Sequence, residues 1–433
     1  MKITRQWKAF AIGGLSAALI GSLSGCTPGA EETGSDLDFT YWSFAAEEEP
    51  QAQAIAAIIE KYENETGAEV DIEWQGRQVV TQVTTNLLGG DVPDLVDQDA
   101  GSLGSLLIEP GETVSLKDVY AEQIPGEDKT VGDVINQSVV DLVPDYAGDG
   151  EPHYLPLSIA GGLFLFNAND PLVSEAPETW DDVLAVCEEA KAAGRACFGV
   201  DGDVGYYVDL YLENLLVRYG GPGAVKNLIE DESGAGWDTP AVKKTFEEVE
   251  KLVKAGYFGE GYKASKWPQQ QNDWAAGKSV FHVNASYVIN ETKDFQAEGF
   301  EVGATAFPIT DNPEFDSTDV LSFGFVVLKQ GEHTEGAKKF LSYLYKKENL
   351  EEYAATALAV VARPDAELPA EIQATADVYN QENLRATFET TVPGDYYAKV
   401  LDVSFATMVL GGLTAEEAIA KGRAEHVTFW ENQ

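Results

Sequence analysis

Leu37-Asp38-Phe39-Thr40-Tyr41-Trp42 opens the stretch on which the fold turns, and it reads as a strand. A helical period starts at about Gln51, with Ile55, Ile58, Ile59 and Tyr62 at i, i+3, i+4 and i+7, and stops near Gly67. Val70-Asp71-Ile72-Glu73-Trp74 alternates as a strand does. Val79, Val83 and Leu87 then mark one face of a second helix, closed by Gly89-Gly90. Asp94-Leu95-Val96, after Pro93, is a third strand. Strand–helix–strand–helix–strand is the order of a parallel sheet covered by helices.

The same grammar continues downstream. Leu163-Phe164-Leu165-Phe166 is a buried strand candidate. Thr179 with Asp182 forms a capping box for a helix that Gly194 ends. Thr239-Pro240 opens another, with Val242, Phe246, Val249 and Val253 on one face and Gly256 as its stop. Residues 279–283, 302–307 and 321–328 read as strands, and a helix follows from Thr334 to about Tyr345. The last hundred residues are mostly helical, with a second capping box at Thr414 and Glu417. The expected class is α/β with two sheets. With 44% hydrophobic and 10% aromatic residues the chain buries a large core, and 433 residues imply two domains or more.

Upstream, Lys2, Arg5 and Lys8 precede an apolar run over residues 9–20, then Leu23-Ser24-Gly25-Cys26. These are the marks of an export signal, and the run falls short of the about 20 residues a membrane span needs. With cysteine after the cut, the pattern resembles the lipobox of bacterial lipoproteins. The alternatives are an ordinary secretory signal with a chance cysteine, or a single membrane anchor. The lipobox reading implies that residues 1–25 are a signal peptide and that Cys26 is lipidated. Residues 26–36, small, polar and turn-rich, then tether the folded body to the outer face of the bacterial cytoplasmic membrane. Three positive charges leave with residues 1–25, taking the net charge from −44 to −47. Such a chain does not suit nucleic acid or an anionic membrane surface as partner, which leaves membrane contact to the lipid anchor alone. Cys187 and Cys197 lie ten residues apart, one on a helix and one on the strand after its turn. In an oxidising compartment they either form a disulfide or stay as two buried thiols.

Eight stretches carry a family likeness, in order along nearly the whole mature chain. They are Thr40-Tyr41-Trp42-Ser43, residues 59–63 (IEKYE), 87–94 (LLGGDVPD), Tyr154-Leu155-Pro156, 177–182 (PETWDD), 252–257 (LVKAGY), 273–279 (DWAAGKS) and 337–341 (AKKFL). Together they resemble the extracellular solute-binding proteins of family 1, the sugar-binding lipoproteins of ABC importers. One departure stands out: where such proteins often carry Asn-Gly-x-Trp, this chain has Asn284-Ala285-Ser286-Tyr287. The resemblance implies a two-lobe, periplasmic-binding-protein-like fold with crossing hinge strands and a cleft that closes on ligand. The first lobe would comprise 37–145 plus 308–362 and the second 146–307 plus 363–433, with crossings near Asp145, Pro308 and Ala362. It further implies a monomer that delivers a carbohydrate to the transmembrane subunits of a permease, with no catalysis, cofactor or metal.

A neutral sugar needs hydrogen-bonding side chains for its hydroxyls and aromatic faces for its C–H surfaces. The loop after the first strand offers Trp42, Ser43 and Glu47, Trp42 being either a stacking face or a core residue. Gln98 and Asp99 follow the third strand, where carboxylates accept sugar hydroxyls in proteins similar to this one; Asp99 alternatively caps a helix starting near Ser102. Tyr206 and Tyr207 precede an apolar helix, and Asn284 and Tyr287 stand at the family's stacking position. Tyr396 and Tyr397 open the helix over residues 398–410, where the family often supplies another aromatic platform. Arg363 either bridges two hydroxyls or serves a structural ion pair. Trp180 and Trp274 match packing positions.

Other classes fit less well. The chain lacks Gly-x-Ser-x-Gly and His-Glu-x-x-His, and its histidines (153, 282, 333, 426) are scattered. Gly277-Lys278-Ser279 ends like a phosphate-binding loop, but Asn272 replaces the first glycine. Asp201-x-Asp203-x-Gly205 fails the spacing of a calcium loop and reads as a surface turn. The remaining rivals are a receptor of the same fold for polyamines or another solute, a surface glycosidase working with two carboxylates, and an adhesion or signalling lipoprotein.

Overall fold

A computed structural model describes residues 36–380, 383–390, 392 and 395–433. Residues 1–25, read above as a signal peptide, Cys26 and nearly all of the expected tether lie outside the described residues.

The opening stretch folds as the alternation of periods dictates. Strands β1 (Phe39–Ser43), β2 (Val70–Trp74) and β3 (Leu95–Asp99) pair in parallel, with β1 in the middle. Helix α1 (Pro50–Thr66) follows β1 and turns Ile55, Ile58, Ile59 and Tyr62 into the core against Phe39 and Phe340. Proline at its first turn and Gly67 at φ 76° are its start and stop signals, the glycine N–H closing on Glu63. Helix α2 (Val79–Asn86) buries Val79, Val80 and Val83 on the other face of the sheet.

The first sheet is larger than the parallel unit. Strand β4 (Leu155–Ala160) and the ten-residue β9 (Thr318–Val327) join it antiparallel, giving the order β10-β4-β9-β3-β1-β2; β10 is Val360–Val361, and β11 (Leu384–Ala386) pairs with the far end of β9. A second sheet has the order β6-β7-β5-β8, from β5 (Leu163–Asn167), β6 (Ala196–Gly199), β7 (Ser279–Asn284) and β8 (Val302–Thr305). Its core holds Phe164, Phe198, Phe281, Trp180 and the helix Gly205–Gly220. Residues 146–160, grouped above with the second lobe, thus contain a strand of the first sheet, and the chain changes sheet between Ala160 and Leu163. It returns between Thr305 and Thr318. Both predicted capping boxes close, Thr179 with Asp182 and Thr414 with Glu417.

Cys187, on the helix Trp180–Ala192, is bonded to Cys197 of β6, with Cα atoms 4.8 Å apart. Where the sheets meet, Arg385 lies buried between Glu213 and Asp319, each 3.5 Å away, and donates to Asn214 at 2.9 Å. Burial, and then the neighbouring Asp319, push the Glu213 carboxyl far above its usual range.

Candidate functional site

Between the two sheets lies a cavity of about 1110 Å³. Parallel strands end on one side of their sheet, and the loops leaving those ends wall such a space. After β1 the chain turns at Phe44, whose N–H donates to Asp97 Oδ1 at 3.0 Å, while the Ser43 hydroxyl reaches Oδ2 at 3.4 Å. Asp97 is buried under this wall. Desolvation lifts its carboxyl to about 7, against the pull of the Phe44 and Ser43 hydrogen bonds. Phe44 stacks on Phe323 of β9 (ring centroids 5.2 Å apart), and the Arg77 guanidinium lies 5.1 Å above it. Arg77 also grips Glu49 with two bonds of 2.9 Å. Gln98 and Asp99 leave the end of β3 on the same wall, Asp99 capping its short helix through a bond from Ser102 N–H of 2.9 Å.

The opposite wall is aromatic. Tyr206 and Tyr207 start the helix Gly205–Gly220, Tyr287 follows β7, and Phe388 and Tyr397 complete the set. Ring centroids fall 6.1 Å apart for Tyr206–Tyr207, 6.3 Å for Tyr206–Phe388 and 5.5 Å for Phe388–Tyr397. The buried Tyr206 hydroxyl has no hydrogen-bond partner. Burial raises all four tyrosines, so they stay neutral donors at physiological pH. At the mouth, Trp267 is 46% exposed and its indole donates to Gln271 Oε1 at 3.2 Å; Gln271 donates in turn to Glu291 Oε2 at 2.9 Å. Desolvation between the walls raises the Glu291 carboxyl; the Gln271 amide and then the Arg77 charge oppose it. Among the described residues no group of three or more His, Cys, Asp or Glu is placed to hold a metal ion.

Six of the twelve candidate ligand residues therefore meet in the cavity: Gln98, Asp99, Tyr206, Tyr207, Tyr287 and Tyr397. Six do not. Trp42 packs with Val79, Val83 and Val96 beneath α2, as strand alternation demands when its neighbours face the other way. Ser43 is spent on Asp97, and Glu47 sits exposed on the loop outside the lining. Asn284 binds His282 Nε2 at 3.0 Å and the Ala285 N–H at 2.8 Å. Arg363 is buried in a bidentate pair with Glu127 (3.0 and 2.7 Å) and a bond to Asp365 of 2.7 Å. Tyr396 turns into the core, its hydroxyl 2.7 Å from His426 Nδ1.

The cavity also takes residues that sequence reasoning passed over: Phe44, Arg77, Trp267, Gln271, Glu291, Phe323 and Phe388. Two of them left a signal. Phe44 stands two residues beyond Trp42, after the strand has ended. Trp267 sits in the polar run Ser265-Lys266-Trp267-Pro268-Gln269, a large ring among residues that favour solvent.

A model of the family described as bacterial extracellular solute-binding protein matches residues 45–351. The diacetylchitobiose binding protein NgcE of Streptomyces coelicolor is 24% identical over 294 residues, which cover 65% of this chain and 60% of that protein. The chain thus matches less than two thirds of the length of its curated relatives. The bacterial solute receptor AcbH, described as preferring β-D-galactopyranose, superposes with a TM-score of 0.73 at 18% identity, over 91% of this chain and 98% of that one. A chitin oligosaccharide binding protein gives 0.71 at 18% identity, over 91% and 99%. Both share the two-sheet α/β fold. No helix among the described residues is long and apolar enough to cross a membrane.

Proposed function

The chain belongs to the bacterial extracellular solute-binding protein family, and from that premise we propose that it is the substrate-binding lipoprotein of an ABC importer. It captures a sugar or oligosaccharide in the cavity between its sheets and delivers it to a membrane permease. The observation that carries the reading is the lining: Phe44, Tyr206, Tyr207, Tyr287 and Tyr397 offer ring faces, while Gln98, Asp99, Gln271 and Glu291 offer hydrogen-bonding groups between them. Apolar rings for C–H faces and convergent polar groups for hydroxyls are what a sugar requires. The relatives named for diacetylchitobiose and chitin oligosaccharides support the same ligand class.

The two lobes are proposed to exchange chain at Gly161-Gly162 and between residues 305 and 318, where consecutive strands join different sheets, and a third time after Val361, downstream of which Tyr396, Val400, Phe405 and Phe429 pack into the core of the second sheet. The protein acts as a monomer anchored through lipid on Cys26, outside the cytoplasmic membrane, and it binds without catalysis. Ligand bridging the lobes favours a closed state, and taking that equilibrium from 1:99 to 99:1 requires about 5.5 kcal/mol of differential affinity.

The test is a thermal-shift and calorimetric screen of the mature protein against mono- and oligosaccharides, with polyamines and amino acids alongside. A sugar at 100 times its Kd adds about 2.7 kcal/mol to stability. Stabilisation by a sugar recovered intact is the expected result. Stabilisation by polyamines alone, or release of a cleaved product, overturns the reading.

A further inference from the structure

Charge on the cavity wall is one-sided. Four carboxylates line it, those of Glu49, Asp99, Glu291 and Glu389, against the single cation of Arg77. Arg77 is committed, holding both oxygens of Glu49 at 2.9 Å. Glu389 is committed too, accepting the backbone N–H of Gly223 at 2.6 Å and of Val225 at 3.0 Å. Asp99 and Glu291 remain, one at the end of β3 and the other on the helix Val288–Glu291 beyond β7, on opposing walls. Asp99 gives Oδ1 to the Ser102 N–H, and Glu291 takes a neutral amide on Oε2, from Gln271, with the Trp267 indole beside it. Among the described residues that line the cavity, the cation acting on Glu291 is Arg77, from across the cleft and already paired.

A sugar hydroxyl can bond to such a carboxylate, but it does not offset the charge that closure around a ligand strips of water. An ammonium does both, and a charge-assisted hydrogen bond is roughly twice as strong as a neutral one. The formal charge of −44 works in the same direction at long range, drawing cations in and repelling acidic sugars. The tyrosine rings beside these carboxylates still call for a pyranose face. The unpartnered hydroxyl of Tyr206, buried in the same wall, still calls for a polar group on that ring.

Resting on the sugar-binding reading, we propose that the ligand is an amino sugar: a glycan with at least one free, protonated amine, its ammonium on Glu291, its hydroxyls on Asp99 and Tyr206, and its rings against the tyrosines. Glu291 is then the specificity-determining residue.

The experiment compares three congeners of equal length and linkage by calorimetry on the mature protein: the glucosamine oligomer, its N-acetylated form and the all-hydroxyl glucose oligomer. Below neutral pH and at low salt the amine form binds about tenfold tighter than the hydroxyl form. Raising the salt shrinks that ratio in the wild-type protein, and Glu291→Gln abolishes it. An amine form that binds no better than its hydroxyl congener overturns the inference, as does a preference that survives Glu291→Gln. Binding of neutral congeners without the amine preference leaves the sugar-receptor reading standing while this inference falls. Failure of every sugar removes both.

Discussion

Asp97→Asn isolates a titration that the fold imposes beneath its own binding wall. Asp97 is 4% exposed, and its neighbours are the Phe44 N–H, the Ser43 hydroxyl and the buried rings of Tyr41 and Tyr353. Desolvation outweighs the hydrogen bonds from Phe44, Tyr41 and Ser43 and lifts the carboxyl from 3.8 to about 7. The folded protein therefore holds this proton more tightly than the unfolded chain does. Stability from this group is fully present below the unfolded pKa and is lost as pH rises through 7. Each pKa unit is worth 1.36 kcal/mol, so the window from 3.8 to about 7 amounts to about 4 kcal/mol. Asparagine keeps an acceptor for the Phe44 N–H and does not titrate. Urea unfolding of both proteins from pH 4 to 8 then shows the variant gaining on the wild type by up to about 1.4 kcal/mol per pH unit, levelling off above neutrality. Parallel stability curves across that window would refute the reasoning.

Replacing Cys187 and Cys197 together by alanine frees a loop of about ten residues and lowers stability by about 2–3 kcal/mol; calorimetric melting reads this, with sugar affinity unchanged because neither cysteine lines the cavity. Arg363→Ala removes a buried guanidinium and its bonds to Glu127 and Asp365; because both carboxylates reach solvent and Glu127 keeps the Lys347 N–H, the cost in urea unfolding is about 1.5–3 kcal/mol, again with affinity retained. Tyr206→Phe leaves the melting temperature in place, since the lost hydroxyl bonds nothing in the protein, and weakens ligand binding by about 1 kcal/mol in calorimetry. Trp267→Ala, at an exposed site, lowers affinity by about 1 kcal/mol without destabilising the fold, and its loss removes the tryptophan fluorescence change on binding.

How far the site was legible follows from what a sequence encodes locally. Gln98 and Asp99 close β3 and Tyr287 stands three residues beyond β7, and position at the end of a strand is legible in the chain alone; the structure places all three in the cavity lining. Side-chain direction is not legible in that way. Trp42 and Phe44 are equally good stacking rings; Trp42, inside β1, packs beneath α2, while Phe44, one residue past the end of the strand, reaches the cavity, and the sequence does not mark that end to the residue. Tyr396 and Tyr397 pose the same problem at the start of a helix. One residue of rotation, about 100°, sends the first ring to His426 and the second to the cleft. Arg363 failed differently. Its partner Glu127 lies 236 residues away, so no local pattern distinguishes a ligand's guanidinium from a structural one.

The crossing between sheets shows the same limit and also a way past it. Strands β4 and β5 are continuous buried runs, and such runs lack the alternation that would tie each to one sheet. Asp145 lies in a polar, turn-rich segment, which is why it looked like the boundary. What moves the chain from one sheet to the other is Gly161-Gly162. Gly161 has φ 151°, and a Cβ there would overlap the Asp319 carbonyl oxygen of β9; the Gly162 N–H donates to the Asp319 carboxylate. Only glycine fits that approach. Asp319 is held in turn by Arg385, which also faces Glu213 on the helix Gly205–Gly220. A glycine pair between two buried strands, set against an acid on the returning strand, is therefore the readable mark of the crossing, because backbone there must pass backbone with no side chain between.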